Sequence, residues 1–306
     1  MTKQILDIIL LILQTQERII NIRYKMIFEH EIPNGSRLYF GKSAKIKRDI
    51  ENIAGKTLED LGFEEIVTPL FSYHQHESFK DIKPLIRLND EYNHKVTLRA
   101  DSTADVVRIA TKRLGRSMES KRWFYIQPIV SFPTLEQYQV GAEVIDGEFE
   151  EITNNTLTLL SRLELSPTLQ LANIRIPHLL NEKYGIPLEW LEFTNIEEIL
   201  NIKLPWIDRL VRIHNVGDLD DLSEFPSDIA DELKRIRDTL SKIDYNNIVI
   251  SPLYYAKMRY YDSLMFKMFD GNSLLARGGS YNIEGIEAVG FALYTDECIA
   301  QKMNNR

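Results

Sequence analysis

The sequence predicts an α+β fold, an antiparallel-rich sheet flanked by helices and interrupted by a helical insertion. Three observations carry that prediction. The runs WFYIQPIV (123–130) and YQVGAEVI (138–145) are strand-like and separated by SFPTLEQ, a spacing that suits an antiparallel pair. From about 177 to 245 the chain turns into short helical segments divided by Pro187, Pro205 and Pro226. Strand patterns then return in NIVIS, MRYYDSLMFKMF, SLLARGG and AVGFALY, so strands bracket a helical block.

Taken in order, residues 5–13 (ILDIILLIL) are apolar but fall far short of the roughly 20 residues that span a bilayer, and Asp7 interrupts them. QTQERII offers no small-residue cleavage site for a signal peptide. The segment 1–25 therefore reads as an N-terminal amphipathic helix that packs on the body of the protein or on a partner; a second reading makes it an extension ahead of a natural start at Met26. Ser43 is placed to cap a helix whose apolar positions Ile46, Ile50, Ile53, Leu58 and Leu61 follow helical spacing, with Gly62 as its stop. EEIVTPLFSY reads as a strand with a proline at an edge or turn, and KVTLRA (95–100) as a short strand. Thr103 to Leu114 reads as a helix ending at Gly115, residues 150–163 as another, and TLQLANI as a strand. SDIADELKRIRDTLSKI is the clearest helix of the later block, with Ser227 as cap and acids in its first turn. DECIAQKM closes the sequence as a helix. The resulting division is 1–25, a core from 26 to 185, an insertion from 186 to 245 and the rest of the core from 246 to 306.

Composition narrows the function. With 37 Lys+Arg against 45 Asp+Glu the net charge is −8, which argues against broad contact with a phosphate backbone, though not against a local basic groove. The single cysteine, Cys298, excludes an internal disulfide and a multi-cysteine zinc site and fits a reducing cytoplasm.

Four segments, in order, resemble the core of class II histidyl-tRNA synthetases. IVTPLF (66–71) resembles the first class motif, and TLRADSTADVVRI (97–109) the leucine-arginine-proline-glutamate stretch that ends in Thr-Ala. QYQVGAEVI (137–145) carries Q-x-G-x-E as Gln139, Gly141 and Glu143. RYYDSLMF (259–266), GGSYN (278–282) and AVGFAL (288–293) resemble the tyrosine-pair, glycine-pair and third-motif segments. Each fragment is weak alone; their order and spacing make the combination specific. The resemblance implies a class II sheet with a pocket for free histidine. In that pocket Asp101, Thr103 and Gln139 would hold the α-ammonium. Glu143 and Tyr261 would hold the imidazole with Tyr260 beside them, and Gly278 and Gly279 would allow close backbone approach. Asp101 has a second reading of equal weight as a helix N-cap. For Tyr260 and Tyr261 the bland reading is strand packing.

The departures from the synthetase decide the expected function. Its second-motif arginine falls here at Ser131, the arginine before its tyrosine pair at Ala256, and its third-motif arginine at Glu297. Adenylate formation needs positive charge aimed at the triphosphate, so losing two arginines and reversing a third leaves no ATP site. The loop SFPTLEQ is shorter than the synthetase's tRNA-binding loop, and the chain stops just after the third motif, where the anticodon-binding domain would follow. These departures resemble the regulatory subunits of ATP phosphoribosyltransferase, truncated paralogues of this synthetase. LRADSTADVVRIATKRLG is closer to their Asp-x-Thr-Ala and Arg-Ile-Ala pattern. That resemblance implies a non-catalytic cytoplasmic protein with no cofactor. It would assemble with the short catalytic subunit into a hetero-octamer, activate it, and take part in feedback by histidine in histidine biosynthesis. It also implies a self-dimer formed through residues 60–80. A histidine-activating ligase with a rearranged ATP site and an RNA-binding paralogue are the competing readings, and the acidic balance argues against the second. No membrane or nucleic-acid partner is expected.

Three local signals have bland readings. His74, His76 and Glu77 have H-x-H spacing that could present two imidazoles on one strand face, but a polar turn or subunit contact suits them better. KSAKIKR (42–48), beside Arg37, reads as a solvated helix face, and Cys298 as a small buried residue.

Overall fold

The structure is a computed structural model that describes residues 31–75, 82–116, 119–255 and 261–304. The helix expected in 1–25 and the start at Met26 lie outside the described residues. The chain divides into two units, 1–38 and 39–306. In the first, the Ser36 amide donates to the Pro33 carbonyl at 3.0 Å, with Gly35 at φ 94° inside that turn.

The second unit is built on an eight-stranded sheet. Its strands are β1 (Glu64–Glu65), β5 (Arg122–Ser131), β6 (Leu135–Ile145), β7 (Thr168–Asn173), β8 (Ile248–Ile250), β9 (Tyr261–Asp270), β10 (Ser273–Ile283) and β11 (Ile286–Tyr294). The spatial order is β1-β5-β6-β11-β10-β9-β7-β8, antiparallel except for the outer pairs β1–β5 and β7–β8. A small second sheet orders β2 (Phe71–Ser72), β4 (Lys95–Leu98) and β3 (Arg87–Asn89). The predicted pair at 123–145 is β5–β6, with Trp123 opposite Glu143 and Tyr125 opposite Gly141.

Period-two alternation divides the large sheet into two unlike faces. Phe124, Val140, Ala142, Val289, Phe291, Leu293, Leu264, Phe266, Leu169 and Leu171 point to one side. There they meet Ile46, Ile50, Ala54 and Leu58 of α1 (Gly41–Asp60), Ile152, Leu159 and Leu160 of α3 (Phe149–Arg162), and Cys298 and Ile299 of α9 (Thr295–Asn304). The opposite face is covered by α2 (Thr103–Lys112), whose Ala104, Val107, Val106 and Ala110 pack on Tyr281, Ala288, Trp123 and Tyr125.

Between β7 and β8 run α4 (Arg175–Tyr184), α5 (Leu188–Glu192), α6 (Ile196–Asn201), α7 (Ile207–Val211) and α8 (Ser227–Leu240). Their Leu180, Leu191, Ile199, Leu210 and Leu233 join the same apolar cluster as the sheet. Among the described residues, no helix is long and apolar enough to cross a membrane.

Several expected boundaries move, each for a local reason. EEIVTPLFSY is not one strand: only β1 and β2 pair, and Pro69 lies in the extended stretch between them. Ser43 does not cap α1 from outside; the helix starts at Gly41 and Ser43 reaches back from its third position. The Phe40 amide donates to Ser43 Oγ at 3.1 Å, and the hydroxyl donates to the Phe40 carbonyl at 2.9 Å. α2 ends at Lys112 and tightens into a 3-10 turn over Leu114–Arg116, so Gly115 is inside that turn rather than a stop. Ser227 is the first residue of α8, and Pro226 holds the cap position. Gly62, at φ 81°, does end the turn after α1.

Candidate functional site

The face beneath α2 carries the site, and strand register explains how distant residues converge there. One row across the sheet reads Trp123, Glu143, Gly290, Gly279 and Met265; the next reads Tyr125, Gly141, Ala292, Arg277 and Lys267. Small residues thus occupy the middle of each row, and larger side chains stand around them. At two of these positions glycine is required by space. A Cβ on Gly290 would lie 1.6 Å from Glu143 Oε2, and one on Gly141 would lie 2.2 Å from the Tyr125 ring. Gly278 and Gly279 likewise border the backbone, with a Cβ on Gly278 only 2.4 Å from the Gly290 carbonyl.

Asp101, Thr103, Gln139 and Tyr261 line one cavity together with Arg277, Tyr281, Gly290, Phe291 and Ala292. The cavity measures 10 Å³, room for about one water molecule. Asp101, Thr103 and Gln139 are buried and Tyr261 is half-buried. Glu143 is fully buried at the edge of this group. The Tyr281 hydroxyl donates to its Oε2, the Tyr125 hydroxyl approaches its Oε1 at 3.4 Å, and Thr103 also hydrogen-bonds to it. Burial pushes the Glu143 carboxyl up to about 8, aided by the charge of Asp101 and opposed by the hydroxyl hydrogen bonds. At neutral pH Glu143 is therefore mostly a neutral acid, able both to donate and to accept a hydrogen bond. Burial also raises the phenols of Tyr125 and Tyr261.

The cap position before α2 is held by Ser102, and Asp101 stands one residue further out. Its Oδ2 accepts the Ala104 amide at 3.2 Å at the start of α2, and its carboxylate borders the cavity. The loop that holds it is fixed by Gln75, whose Oε1 accepts the Ala100 and Asp101 amides at 2.9 and 2.8 Å. Gln75 Nε2 in turn donates to the Asp101 carbonyl and to Asp105 Oδ2, both at 2.7 Å. Arg99 ties the first-motif segment to β5 by donating to the Thr68 and Pro128 carbonyls, each at 2.8 Å.

Tyr260 and Ala256 lie outside the described residues. Ser131 ends β5 opposite Leu135, and Glu297 is half-buried in the first turn of α9. Its neighbour Asp296 accepts the Tyr39 hydroxyl and, at 3.0 Å, the Tyr138 amide. Sequence reasoning missed Tyr125, Tyr281 and Arg277. Tyr281 and Arg277 were legible in principle, since they flank the glycine pair at alternate positions of one strand.

Of the weaker signals, His76 and Glu77 lie outside the described residues, and His74 is exposed. Among the described residues no group of three His, Cys, Asp or Glu could hold a metal. Lys42, Lys45 and Arg48 are exposed on α1, whereas Lys47 packs 4.1 Å over the Tyr138 ring. Cys298 is buried in the core cluster.

Sheet, glycine floor and cavity define a protein built on the class II synthetase fold of the histidyl type, and a sequence profile described as histidyl-tRNA synthetase matches residues 40–192. An ATP phosphoribosyltransferase regulatory subunit from Wolinella succinogenes is 45% identical over 276 residues, covering 90% of this chain and 96% of that protein. The chain belongs to the family of ATP phosphoribosyltransferase regulatory subunits. Two solved structures share the fold. One, described as an ATP phosphoribosyltransferase regulatory subunit/histidyl-tRNA synthetase from Bacillus halodurans, has a TM-score of 0.79 at 19% identity and covers 89% of this chain and 83% of its own. The other belongs to an ATP phosphoribosyl transferase complex from Thermotoga maritima, with a TM-score of 0.60 at 15% identity, covering 81% of this chain and 97% of its own.

Proposed function

We propose that this chain is the non-catalytic regulatory subunit of ATP phosphoribosyltransferase. It activates a short catalytic subunit and takes part in histidine feedback on the first step of histidine biosynthesis. The observation that supports this reading is the combination in one core of a histidine-type polar group with uncharged or acidic residues at the positions where the synthetase would grip phosphate. Asp101, Thr103, Gln139, Glu143 and Tyr261 are gathered beneath α2, whereas Ser131 and Glu297 stand where the synthetase carries arginines. Family membership at 45% identity supports the same reading.

In the proposed binding mode the α-ammonium of histidine meets Asp101, Thr103 and Gln139. Its imidazole meets Tyr261 and Glu143, the latter as a neutral acid that pairs with a neutral ring without a charge mismatch. Assembly proceeds through a self-dimer within a hetero-octamer in the cytoplasm. The first-motif region supplies the dimer surface, where Val67, Leu70, Phe71 and Tyr73 are exposed at 76%, 42%, 57% and 54%.

The test is to mix the purified chain with a short-form catalytic subunit. Co-elution together with a rise in phosphoribosyltransferase rate is expected. The absence of both co-elution and activation would overturn the reading, and histidine-dependent exchange of pyrophosphate into ATP would favour a ligase instead.

A further inference from the structure

Arg277 stands on β10 immediately before the Gly278–Gly279 pair and lines the same cavity as Asp101, Thr103, Gln139, Tyr261 and Tyr281. Its placement follows from register. It lies opposite the small Ala292 on β11, in the row that carries Gly141 and Tyr125. Its guanidinium carbon lies 5.9 Å from the centre of the Tyr294 ring, and its positive charge offsets part of the burial that raises the Tyr261 and Tyr294 phenols. The pocket therefore contains a cation beside Asp101 and Gln139, the acceptors an α-ammonium would need. With 10 Å³ of space, there is no room for an amino acid beside that side chain.

We infer that Arg277 is an internal competitor of the ligand's α-ammonium. The pocket has a closed state with the guanidinium inside it and an open state in which histidine displaces the guanidinium. Histidine affinity is then lowered by the fraction of closed pocket, and removing the cation removes that penalty. This inference rests on the reading that the pocket takes histidine. It adds that the ligand must exchange with a side chain of the protein, which gives binding a way to change the structure.

The test is calorimetry of the full chain with three probes: L-histidine, histamine, which keeps the ammonium and lacks the carboxylate, and imidazole-4-acetate, which keeps the carboxylate and lacks the ammonium. Arg277→Met should bind histidine and histamine at least tenfold more tightly than the wild type, with imidazole-4-acetate changed less than threefold. Arg277→Lys, which keeps the cation, should stay near wild type. Arg277→Gln serves the same comparison if the methionine variant melts early. Weaker histidine binding by the Met or Gln variant would show that Arg277 holds the ligand's carboxylate, and would overturn the inference. Equal binding, or no binding by any form, would overturn it too. Co-elution with the catalytic subunit is scored separately. A variant that co-elutes and activates without tighter histidine binding sinks the competitor and leaves the regulatory reading intact. Loss of co-elution by the wild-type chain sinks that reading first.

Discussion

The two faces of the central sheet are made by the same strands yet do different work. On one, Phe124, Val140, Phe266, Phe291 and Leu293 meet α1, α3 and α9 in a continuous apolar layer, and each contact is replaceable by another of similar volume. On the other, α2 covers a small cavity bordered by Asp101, Gln139, Arg277 and Tyr281, with the fully buried Glu143 at its edge. There the positions are fixed by atom-to-atom approach and hydrogen bonding. The first face gives the protein its stability; the second spends some of it to hold polar groups out of water.

That contrast can be broken experimentally, and the largest effect belongs to the apolar face. Phe266 is fully buried and meets Phe149 edge to face, with ring centroids 5.9 Å apart. Phe266→Ala should cost about 3–5 kcal/mol in urea unfolding. A loss below about 1 kcal/mol would show that this face is not the main source of stability. Gly290→Ala comes next, because its Cβ would strike the Glu143 carboxylate at 1.6 Å. About 1–3 kcal/mol of stability should go, together with at least a tenfold weakening of histidine binding. A variant that keeps wild-type binding would detach Glu143 from the pocket.

Glu143 also predicts a pH dependence. Its folded value of about 8 exceeds the ordinary carboxylate value of 4.5, so between those limits the folded state holds a proton that the unfolded chain releases. Its contribution to stability is fully present below about pH 4.5 and is lost progressively as pH rises through 8. Glu143→Gln, which keeps the shape and never ionises, should flatten the melting temperature between pH 5 and 8 relative to wild type. Equal slopes in the two proteins would contradict the burial argument. The smallest effect is at the surface. Lys112 pairs with Glu284 at the rim of α2 while more than half exposed, so Lys112→Ala should change stability by less than about 1 kcal/mol in the same urea measurement.

The two faces were not equally legible in the sequence. The strands of 123–145 and 261–294 are legible as strand-like runs, whereas the side of each that is buried follows from the register. Asp101, Thr103, Gln139, Glu143 and Tyr261 were reached through motif resemblance, since no periodicity signals a carboxylate under a helix. Tyr281 and Arg277 are marked in the sequence only by their places around the glycine pair, and Tyr125 reads as ordinary aromatic packing on a strand. The split of EEIVTPLFSY had a different cause. Residue types say strand, but only Glu64–Glu65 and Phe71–Ser72 join a ladder. The stretch between them is held by single contacts: the Ile66 amide to the Phe124 carbonyl, the Thr68 amide to Gln127 Oε1, the Arg99 amide to the Leu70 carbonyl and the Arg99 guanidinium to the Thr68 carbonyl.

The claim that the α2-covered face is a histidine site has one direct measurement, calorimetric titration of L-histidine into the wild-type chain and into Glu143→Ala. The account predicts saturable binding to the wild type and its loss in the variant, with both proteins melting cooperatively. Binding that survives Glu143→Ala unchanged would contradict it.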